Sequence, residues 1–163
     1  MRRFFIYLLM HIKLVILLVF FLITQKSSAQ NIQVLKFDAL KQCIYNKSDT
    51  VYVVNFFASW CKPCIQEMPE LLFFANAIKN SKTKLVFVSL DFKKNQEKLL
   101  QIVQQYSLQN VYLLDESNAN NWINKIDKHW SGAIPATLII KKGKNKKFIV
   151  DAISCETLFK FTK

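Results

Sequence analysis

One stretch of the chain, residues 51–64, constrains both the fold and the chemistry. Val51–Phe57 is nearly continuous in apolar residues, which is typical of a strand that is buried on both faces of a sheet. Cys61 and Cys64 follow shortly after it, with Pro63 between them. A Cys-x-x-Cys pair that opens a helix at the end of a buried strand is the arrangement that a dithiol needs to cycle between a disulfide and two thiols. The stretch therefore predicts helices on both faces of a sheet and redox-active sulfur at the end of its buried strand.

Segments with strand and helix patterns alternate through the rest of the chain. The patterns predict strands at residues 32–37, 51–57, 85–90, 111–114, 137–140 and 148–150 and helices at 38–45, 61–77, 95–106, 118–129 and from 156 onward. Asp38 is placed as the cap of the first helix and Pro69 as a kink in the second. This alternation is typical of the α/β class, with a mixed central sheet and helices on both faces. At 163 residues and 52% apolar content, we expect one domain, residues 30–163.

The N-terminal residues resemble an export signal. Arg2 and Arg3 precede an apolar run at residues 14–23, and the small residues Ser27 and Ala29 stand before a cleavage point, so residues 1–29 are predicted to be a signal peptide. The alternative is an uncleaved membrane anchor, because residues 4–23 are long enough to cross a bilayer, although Lys13 near the middle would cost about 3 kcal/mol. Either interpretation places the domain in an exported space: periplasmic, or anchored in the inner membrane and facing the periplasm.

The charge of the chain is concentrated near one predicted turn. The formal net charge is +12, and five lysines lie within residues 141–147 around Gly143. The favoured interpretation is a solvated hairpin turn between two apolar runs, and the alternative is a docking patch for acidic partners or anionic lipid. We expect no nucleic-acid partner, because an exported protein is in the wrong compartment, and membrane contact only if the N-terminal segment is retained.

The residues around the cysteines are similar to those of a known family. Residues 53–60 read Val-Val-Asn-Phe-Phe-Ala-Ser-Trp, the second cysteine is followed by Glu67 and Pro69 in Cys-x-x-Glu-x-Pro, and Ile134-Pro135-Ala136-Thr137 lies far downstream. Over about residues 34–161 the chain resembles the thioredoxin-fold, exported TlpA/ResA-like thiol-disulfide oxidoreductases. The resemblance implies a thioredoxin-like fold, protein disulfide substrates including apocytochrome c, and a membrane-bound thiol donor. It implies no cofactor.

The two cysteines have distinct expected roles. Cys61 is predicted at a helix N-terminus, where free backbone amides favour the thiolate, so it is the expected nucleophile, and Lys62 and Pro63 are expected to tune its reactivity. Cys64, one turn further on, is placed to resolve the mixed disulfide. The alternatives are an inert structural disulfide and half of a zinc site, but no second Cys-x-x-Cys or His pair supplies two more ligands, so no metal is expected.

Four further residues are candidates for the site. Glu67 is predicted one helical turn from Cys64, where a partly buried carboxylate could exchange a proton with that thiol, and the alternative is a solvated acid in a first helical turn. The resemblance implies a cis peptide bond before Pro135 and substrate contacts by Trp60, Ile134 and Pro135. The alternative for Pro135 is an ordinary proline at the entry to a strand. Thioredoxin itself has an Asp at the position of Asn55.

Three other classes of function compete with a disulfide reductase. A disulfide-forming oxidase would use the same dithiol, and a non-enzymatic metal-binding or interaction domain could be built on the same scaffold. A peroxiredoxin would need Thr-x-x-Cys, whereas Ser59 and Trp60 precede Cys61. Cys43 and Cys155 complete the cysteine set; two separate buried thiols are favoured, and a second redox pair stays open.

Overall fold

The computed structural model describes residues 6–7, 11–15, 17, 32–45, 49–116, 118, 120 and 122–163. The described strands form a six-stranded sheet in the order β1-β4-β3-β2-β5-β6. Their bounds are β1 Gln33–Leu35, β2 Val51–Phe57, β3 Thr83–Ser89, β4 Val111–Leu114, β5 Ala136–Lys141 and β6 Lys144–Ile149. The pairs β1–β4, β3–β4 and β2–β3 are parallel, whereas β5 runs antiparallel to β2 and to β6, so the sheet is mixed.

Helices cover both faces of this sheet. Their bounds are α1 Phe37–Ile44, α2 Lys62–Gln66, α3 Met68–Ala77, α4 Gln96–Gln105, α5 Ile123–Ile126 and α6 Cys155–Thr162. Apolar side chains of α2, α3, α4 and α6 pack in one cluster, and those of α1 and α5 pack in the other. All seven residues of β2 are buried, and Val53 and Val54 lie in opposite clusters, as alternation along a central strand requires. The predicted α/β class with a mixed sheet is therefore confirmed.

Two predictions about the ends and the course of the first helices were wrong. Asp38 does not cap α1, because Lys36 occupies the N-cap position and Asp38 lies in the first turn. The kink expected at Pro69 is a break into two helices, α2 and α3, separated by Glu67; Pro69 lies in the first turn of α3, where its missing N–H costs no helical hydrogen bond.

The helix expected at residues 118–129 is reduced to the single turn of α5. The physical reason is that Trp122 and Trp130 pack edge to face with ring centroids 5.4 Å apart. A straight helix would separate these residues by about 12 Å along its axis. Asp127, in an extended conformation, ends α5 and lets the chain return to the same cluster.

The hairpin between β5 and β6 is present, and it is longer than expected. Lys142 and Gly143 form its two-residue turn with φ of 53° and 69°, the positive values that a tight hairpin turn requires. Strand β6 begins at Lys144, so part of the lysine-rich segment belongs to the sheet and not to the turn.

Most of the predicted signal or anchor segment, residues 1–29, lies outside the described residues. Residues 6–7, 11–15 and 17 are helical. Among the residues that are described, no helix combines the length and the hydropathy needed to cross a membrane.

Candidate active site

The dithiol lies between the end of β2 and the first turns of α2. The loop of residues 58–61 follows β2, and a hydrogen bond from the Cys61 N–H to the Ala58 carbonyl (3.0 Å) closes it. Cys61 and Cys64 form a disulfide with Cα atoms 5.3 Å apart. Cys61 is 5% exposed and Cys64 is fully buried. Cys61 is therefore the cysteine nearer to solvent, and its role as the attacking thiol stays a prediction.

Cys61 caps α2 directly. The Cys64 N–H donates to Cys61 Sγ at 3.3 Å, so a backbone donor already faces the sulfur that would carry the negative charge of a thiolate. Because α2 has only five residues, this direct contact matters more than a long helix dipole. Pro63 lies in the first turn of α2, where no backbone donor is required, and Lys62 is exposed beside the cap.

Glu67 occupies the junction between α2 and α3 and is only 4% exposed. Its two carboxylate oxygens have different donors: Oε1 accepts from Asn55 Nδ2 at 2.8 Å, and Oε2 accepts from the Ile153 N–H at 2.9 Å. Burial raises the pKa of Glu67 and Asp151 adds to the rise, while the two hydrogen bonds lower it, with burial the largest influence. The alternative of a solvated helix acid does not hold for a carboxyl in this position.

Asn55 joins Glu67 to the strand beside it. The side chain lies on β2, is fully buried, and uses Nδ2 a second time to donate to Thr137 Oγ1 of β5 at 3.2 Å. Asn55 Oδ1 finds no hydrogen-bond partner among the described residues. A buried polar connection thus runs from Glu67 through Asn55 to Thr137, two residues after Pro135.

The segment 131–135, called here the proline loop, lies at the same end of the sheet as the dithiol. Ala136, the first residue of β5, pairs with Phe56 near the end of β2. The Ile134–Pro135 peptide bond is cis, Pro135 is buried and Ile134 is half-buried. This register sets the two candidate substrate-contact residues beside the 58–61 loop.

One hydrogen bond and one glycine shape the proline loop. The indole N–H of Trp130 donates to the Ala133 carbonyl at 2.8 Å, which gives that buried tryptophan a positioning role that the sequence did not indicate. Gly132 has φ +87°, and a Cβ there would lie 2.9 Å from Ile123 Cδ1, so both the conformation and the space favour glycine. Trp60, by contrast, is 56% exposed and lies on the open surface next to Cys61.

Sequence reasoning missed a buried polar cluster on the other side of the 58–61 loop. Asp91, 4% exposed, accepts the Ser59 N–H at 2.8 Å and the Ser59 hydroxyl at 2.7 Å. The Ser89 hydroxyl donates to the same carboxylate at 2.8 Å and accepts the Asp91 N–H at 3.1 Å. A signal was available, because both strands were predicted, and polar residues just past the ends of two strands lie at one edge of the sheet if those strands pair in parallel.

The remaining cysteines lie on opposite faces of the sheet. Cys43 is on α1 and exposed, contrary to the expectation that both thiols are buried, whereas Cys155 begins α6 and is buried in the cluster that contains the dithiol. Burial raises the pKa of the Cys155 thiol, and nearby Glu70 adds to the rise. This separation gives no support to a second redox pair. Among the described residues, no group of three or more His, Cys, Asp or Glu side chains is arranged to hold a metal ion.

Comparison with known proteins agrees with this geometry. Residues 27–148 match the family model described as the AhpC/TSA family. The chain is 25% identical over 113 residues to sporulation thiol-disulfide oxidoreductase A of Bacillus subtilis (strain 168), covering 68% of this chain and 66% of that protein. It is 32% identical over 71 residues to the thioredoxin-like protein YneN of the same organism, covering 42% and 40%. The matches thus span about two thirds or less of these relatives' own lengths.

Solved structures extend the likeness to the fold. The thioredoxin-related protein of Neisseria meningitidis serogroup B superposes with a TM-score of 0.60 at 21% identity, covering 71% of this chain and 84% of that one. Together with the six-stranded sheet and the Cys61–Cys64 disulfide, this confirms the predicted thioredoxin-like fold. Because the family model covers more than half of its length, the chain belongs to the AhpC/TSA family.

Proposed function

We propose that this chain is a thiol-disulfide oxidoreductase that uses Cys61 and Cys64 to reduce disulfide bonds in exported proteins. The observation that carries the proposal is the disulfide at the β2–α2 junction, with Cys61 Sγ accepting the Cys64 N–H and the proline loop beside it. A redox pair needs one sulfur that a substrate can reach and one that is protected, and here Cys61 keeps 5% exposure beside the exposed Trp60 whereas Cys64 is fully buried.

The reaction follows from that asymmetry. In the reduced protein, the Cys61 thiolate attacks one sulfur of the substrate disulfide, which forms a mixed disulfide and releases one substrate thiolate. Cys64, deprotonated, then attacks Cys61 Sγ, which releases the second substrate thiolate and closes the Cys61–Cys64 disulfide. Two electrons pass to the substrate, its two thiolates take up protons, and an external dithiol restores the reduced pair.

Glu67 is proposed to take the proton from Cys64. A buried carboxylate with a raised pKa is closer in proton affinity to a thiol than a solvated one, and it can accept a proton only while it is ionised. Trp60, Ile134 and Pro135 are proposed to contact the substrate, because Trp60 is exposed next to Cys61 in the chain and the pairing of Phe56 with Ala136 brings the proline loop to the same end of the sheet. Lys62 and Pro63 are proposed to tune the reactivity of Cys61.

The compartment and the partners complete the proposal. Residues 1–29 act as a signal peptide or a retained anchor, which places the domain in the periplasm or on the outer side of the inner membrane. Protein disulfides, apocytochrome c among them, are the proposed substrates, and a membrane-bound thiol protein is the proposed donor. The name of the similar Bacillus subtilis protein, a thiol-disulfide oxidoreductase, supports the reaction class.

The direction of electron flow is tested by the reduction potential of the dithiol. The full chain is equilibrated in dithiothreitol buffers of known ratio and the fraction of disulfide is measured by alkylation and mass. A potential at or below about −250 mV supports a reductase, whereas a value near −120 mV would indicate the disulfide-forming oxidase. Cys43→Ser is the matched control, because it removes an exposed thiol on the opposite face and should leave the potential unchanged.

Turnover is tested with insulin as a model disulfide substrate. Cys61→Ser should abolish reduction, and Cys64→Ser should trap a mixed disulfide on Cys61. Tight metal binding by the cysteine pair without any insulin reduction would instead favour the non-enzymatic alternative and would contradict the proposal.

A further inference from the structure

Asn55 is more completely buried than its chemistry favours. It lies in the middle of the central strand, where its neighbours on β2 are apolar, and no part of the side chain is exposed. An apolar residue at this place would avoid the cost of removing an amide from water. The position therefore calls for an explanation in terms of what the amide touches.

The amide is oriented toward a single carboxylate. Both donated hydrogen bonds leave from Nδ2, to Glu67 Oε1 at 2.8 Å and to Thr137 Oγ1 at 3.2 Å, while Oδ1 has no hydrogen-bond partner among the described residues. The opposite orientation would set Oδ1 against a carboxylate oxygen, lone pair against lone pair. The side chain thus leaves a buried acceptor unsatisfied in order to present its N–H to Glu67.

We propose that Asn55 is a positioning residue for Glu67, and that its side-chain N–H holds the carboxylate oriented and ionised so that it can receive the Cys64 proton. The inference rests on the proposed thiol-disulfide exchange. Burial opposes the ionised form of Glu67, and Asn55 and the Ile153 N–H are the two donors that oppose burial. Removal of one donor should therefore let burial raise the pKa of Glu67 further.

The other groups around Glu67 do not supply this compensation. Asp151, on the segment after β6, is negatively charged and acts in the opposite direction. The neighbouring helices carry two buried cysteines, Cys64 and Cys155, and exposed titratable side chains in Lys62, Glu70, Glu156 and Lys160. The Glu70 carboxylate accepts the Cys155 N–H at 2.9 Å. The two lysines are exposed to solvent, and the influences that lower the pKa of Glu67 are the hydrogen bonds from the Ile153 N–H and Asn55. A neutral donor such as Asn55 therefore has a direct effect on the charge of Glu67.

The test is the titration of Glu67 itself. In the full chain labelled with carboxyl-¹³C glutamate, the resonance that disappears in Glu67→Gln belongs to Glu67, and its pH midpoint is followed in the oxidised protein. Asn55→Leu keeps similar bulk and removes the donor. We expect the acid dissociation constant of Glu67 to fall about tenfold, because a hydrogen bond to a charged group is lost. An unchanged midpoint, or one that moves to lower pH, would overturn the proposal.

Thr137→Val is the matched control. Thr137 is as fully buried as Asn55. The substitution removes the other hydrogen-bond partner of Asn55 and leaves the Asn55–Glu67 hydrogen bond in place. The midpoint should stay close to that of the unmodified protein. A shift as large as that of Asn55→Leu would mean that any disturbance of this part of the core moves Glu67, and the specific role of Asn55 would be rejected.

A measurement on the unmodified protein covers the case in which Asn55→Leu does not fold. The side-chain ¹⁵N and ¹H resonances of Asn55 should titrate with the same midpoint as the Glu67 carboxyl carbon, and they should lose that titration in Glu67→Gln. Asn55 resonances that do not follow Glu67 would contradict the proposal.

Insulin reduction separates this inference from the proposed function. If the acid limb of the rate profile moves to higher pH in Asn55→Leu, together with the carboxyl midpoint, Asn55 positions Glu67 for the reaction. A moved midpoint with an unmoved rate profile would reject that role. Failure of the unmodified protein to reduce insulin would reject the proposed function, and the titration would still report on the contact between Asn55 and Glu67.

Discussion

Two buried carboxylates lie on either side of the 58–61 loop, and they are held in different ways. Asp91 accepts three hydrogen bonds, from the Ser59 N–H, the Ser59 hydroxyl and the Ser89 hydroxyl. Glu67 accepts two, and one of them comes from an amide whose own oxygen lacks a partner among the described residues. The two acids are almost equally inaccessible, at 4% exposure each.

The difference indicates two separate tasks for buried acids at one active site. A carboxylate that accepts three hydrogen bonds, as Asp91 does, holds the groups that donate them in place, which suits the anchoring of the loop that carries Trp60 and Cys61. Glu67 accepts two hydrogen bonds, and burial raises its pKa, which suits a group that exchanges a proton. Asp91 is therefore expected to govern stability, and Glu67 to govern the reaction.

The largest effect should come from Asp91→Ala. Three buried donors lose their acceptor, so the free energy of unfolding of the disulfide form should fall by about 3 kcal/mol. Urea denaturation followed by circular dichroism measures this loss. Asp115→Ala is the control, because its contact with Lys36 is on the surface and should contribute below about 1 kcal/mol. A loss in Asp91→Ala no larger than in the control would remove the contrast between the two acids.

Glu67→Gln should affect rate and not fold. With no group to take the Cys64 proton, insulin reduction at neutral pH should slow by at least about tenfold, while the circular dichroism spectrum stays the same. Glu70→Gln, in the first turn of α3, is the control, because glutamine can still accept the Cys155 N–H. Equal rates for Glu67→Gln and the unmodified protein would remove Glu67 from the mechanism.

Ser59→Ala should have a smaller effect than Asp91→Ala. It removes one hydroxyl donor from Asp91 but keeps the Ser59 backbone N–H, so the free energy of unfolding should fall by about 1 kcal/mol. The same urea experiment measures it. A loss as large as that of Asp91→Ala would show that the hydroxyl alone, and not the shared carboxylate, anchors the loop.

The smallest expected effect is on the pH dependence of stability. Because the pKa of Glu67 is raised in the folded protein, the folded state binds a proton more tightly than the unfolded state. Below the ordinary pKa of Glu, Glu67 is protonated in both the folded and the unfolded state, so it does not make the stability depend on pH. As the pH rises from that value to the raised pKa, the unmodified protein should lose stability relative to Glu67→Gln. Paired urea titrations between pH 4 and pH 8 measure the difference, and a trend of the opposite sign would contradict a raised pKa.

The sequence predicted well those features that depend on residues next to one another in the chain. The apolar run of β2 and the Cys-x-x-Cys after it fixed the class and the place of the dithiol, because a strand buried on both faces needs helices on both sides. The Asp91 cluster was missed, because Ser59 and Asp91 are 32 positions apart and meet only after β2 and β3 pair. The unpaired Oδ1 of Asn55 could not be predicted from the sequence either, since it depends on the orientation of a buried amide.

Where the predictions failed, contacts between distant segments outweighed local pattern. Residues 118–129 have helical spacing, yet Trp122 and Trp130 both pack on Phe56 of the central strand, and a continuous helix cannot bring both rings there. The break at Glu67 likewise serves tertiary contacts, because it turns the carboxyl toward Asn55 and Ile153.

Strand β2 has hydrogen-bonded neighbours along both edges and no exposed residue. Amides in such a strand are released to solvent only when the whole domain opens, so they should be among the slowest in the chain to exchange with deuterium. In the proposed reaction the disulfide is made and broken a few residues after this buried, doubly paired strand. Thiol-disulfide exchange at Cys61 and Cys64 can then proceed as a local event that leaves the pairing of β2 with β3 and β5 intact.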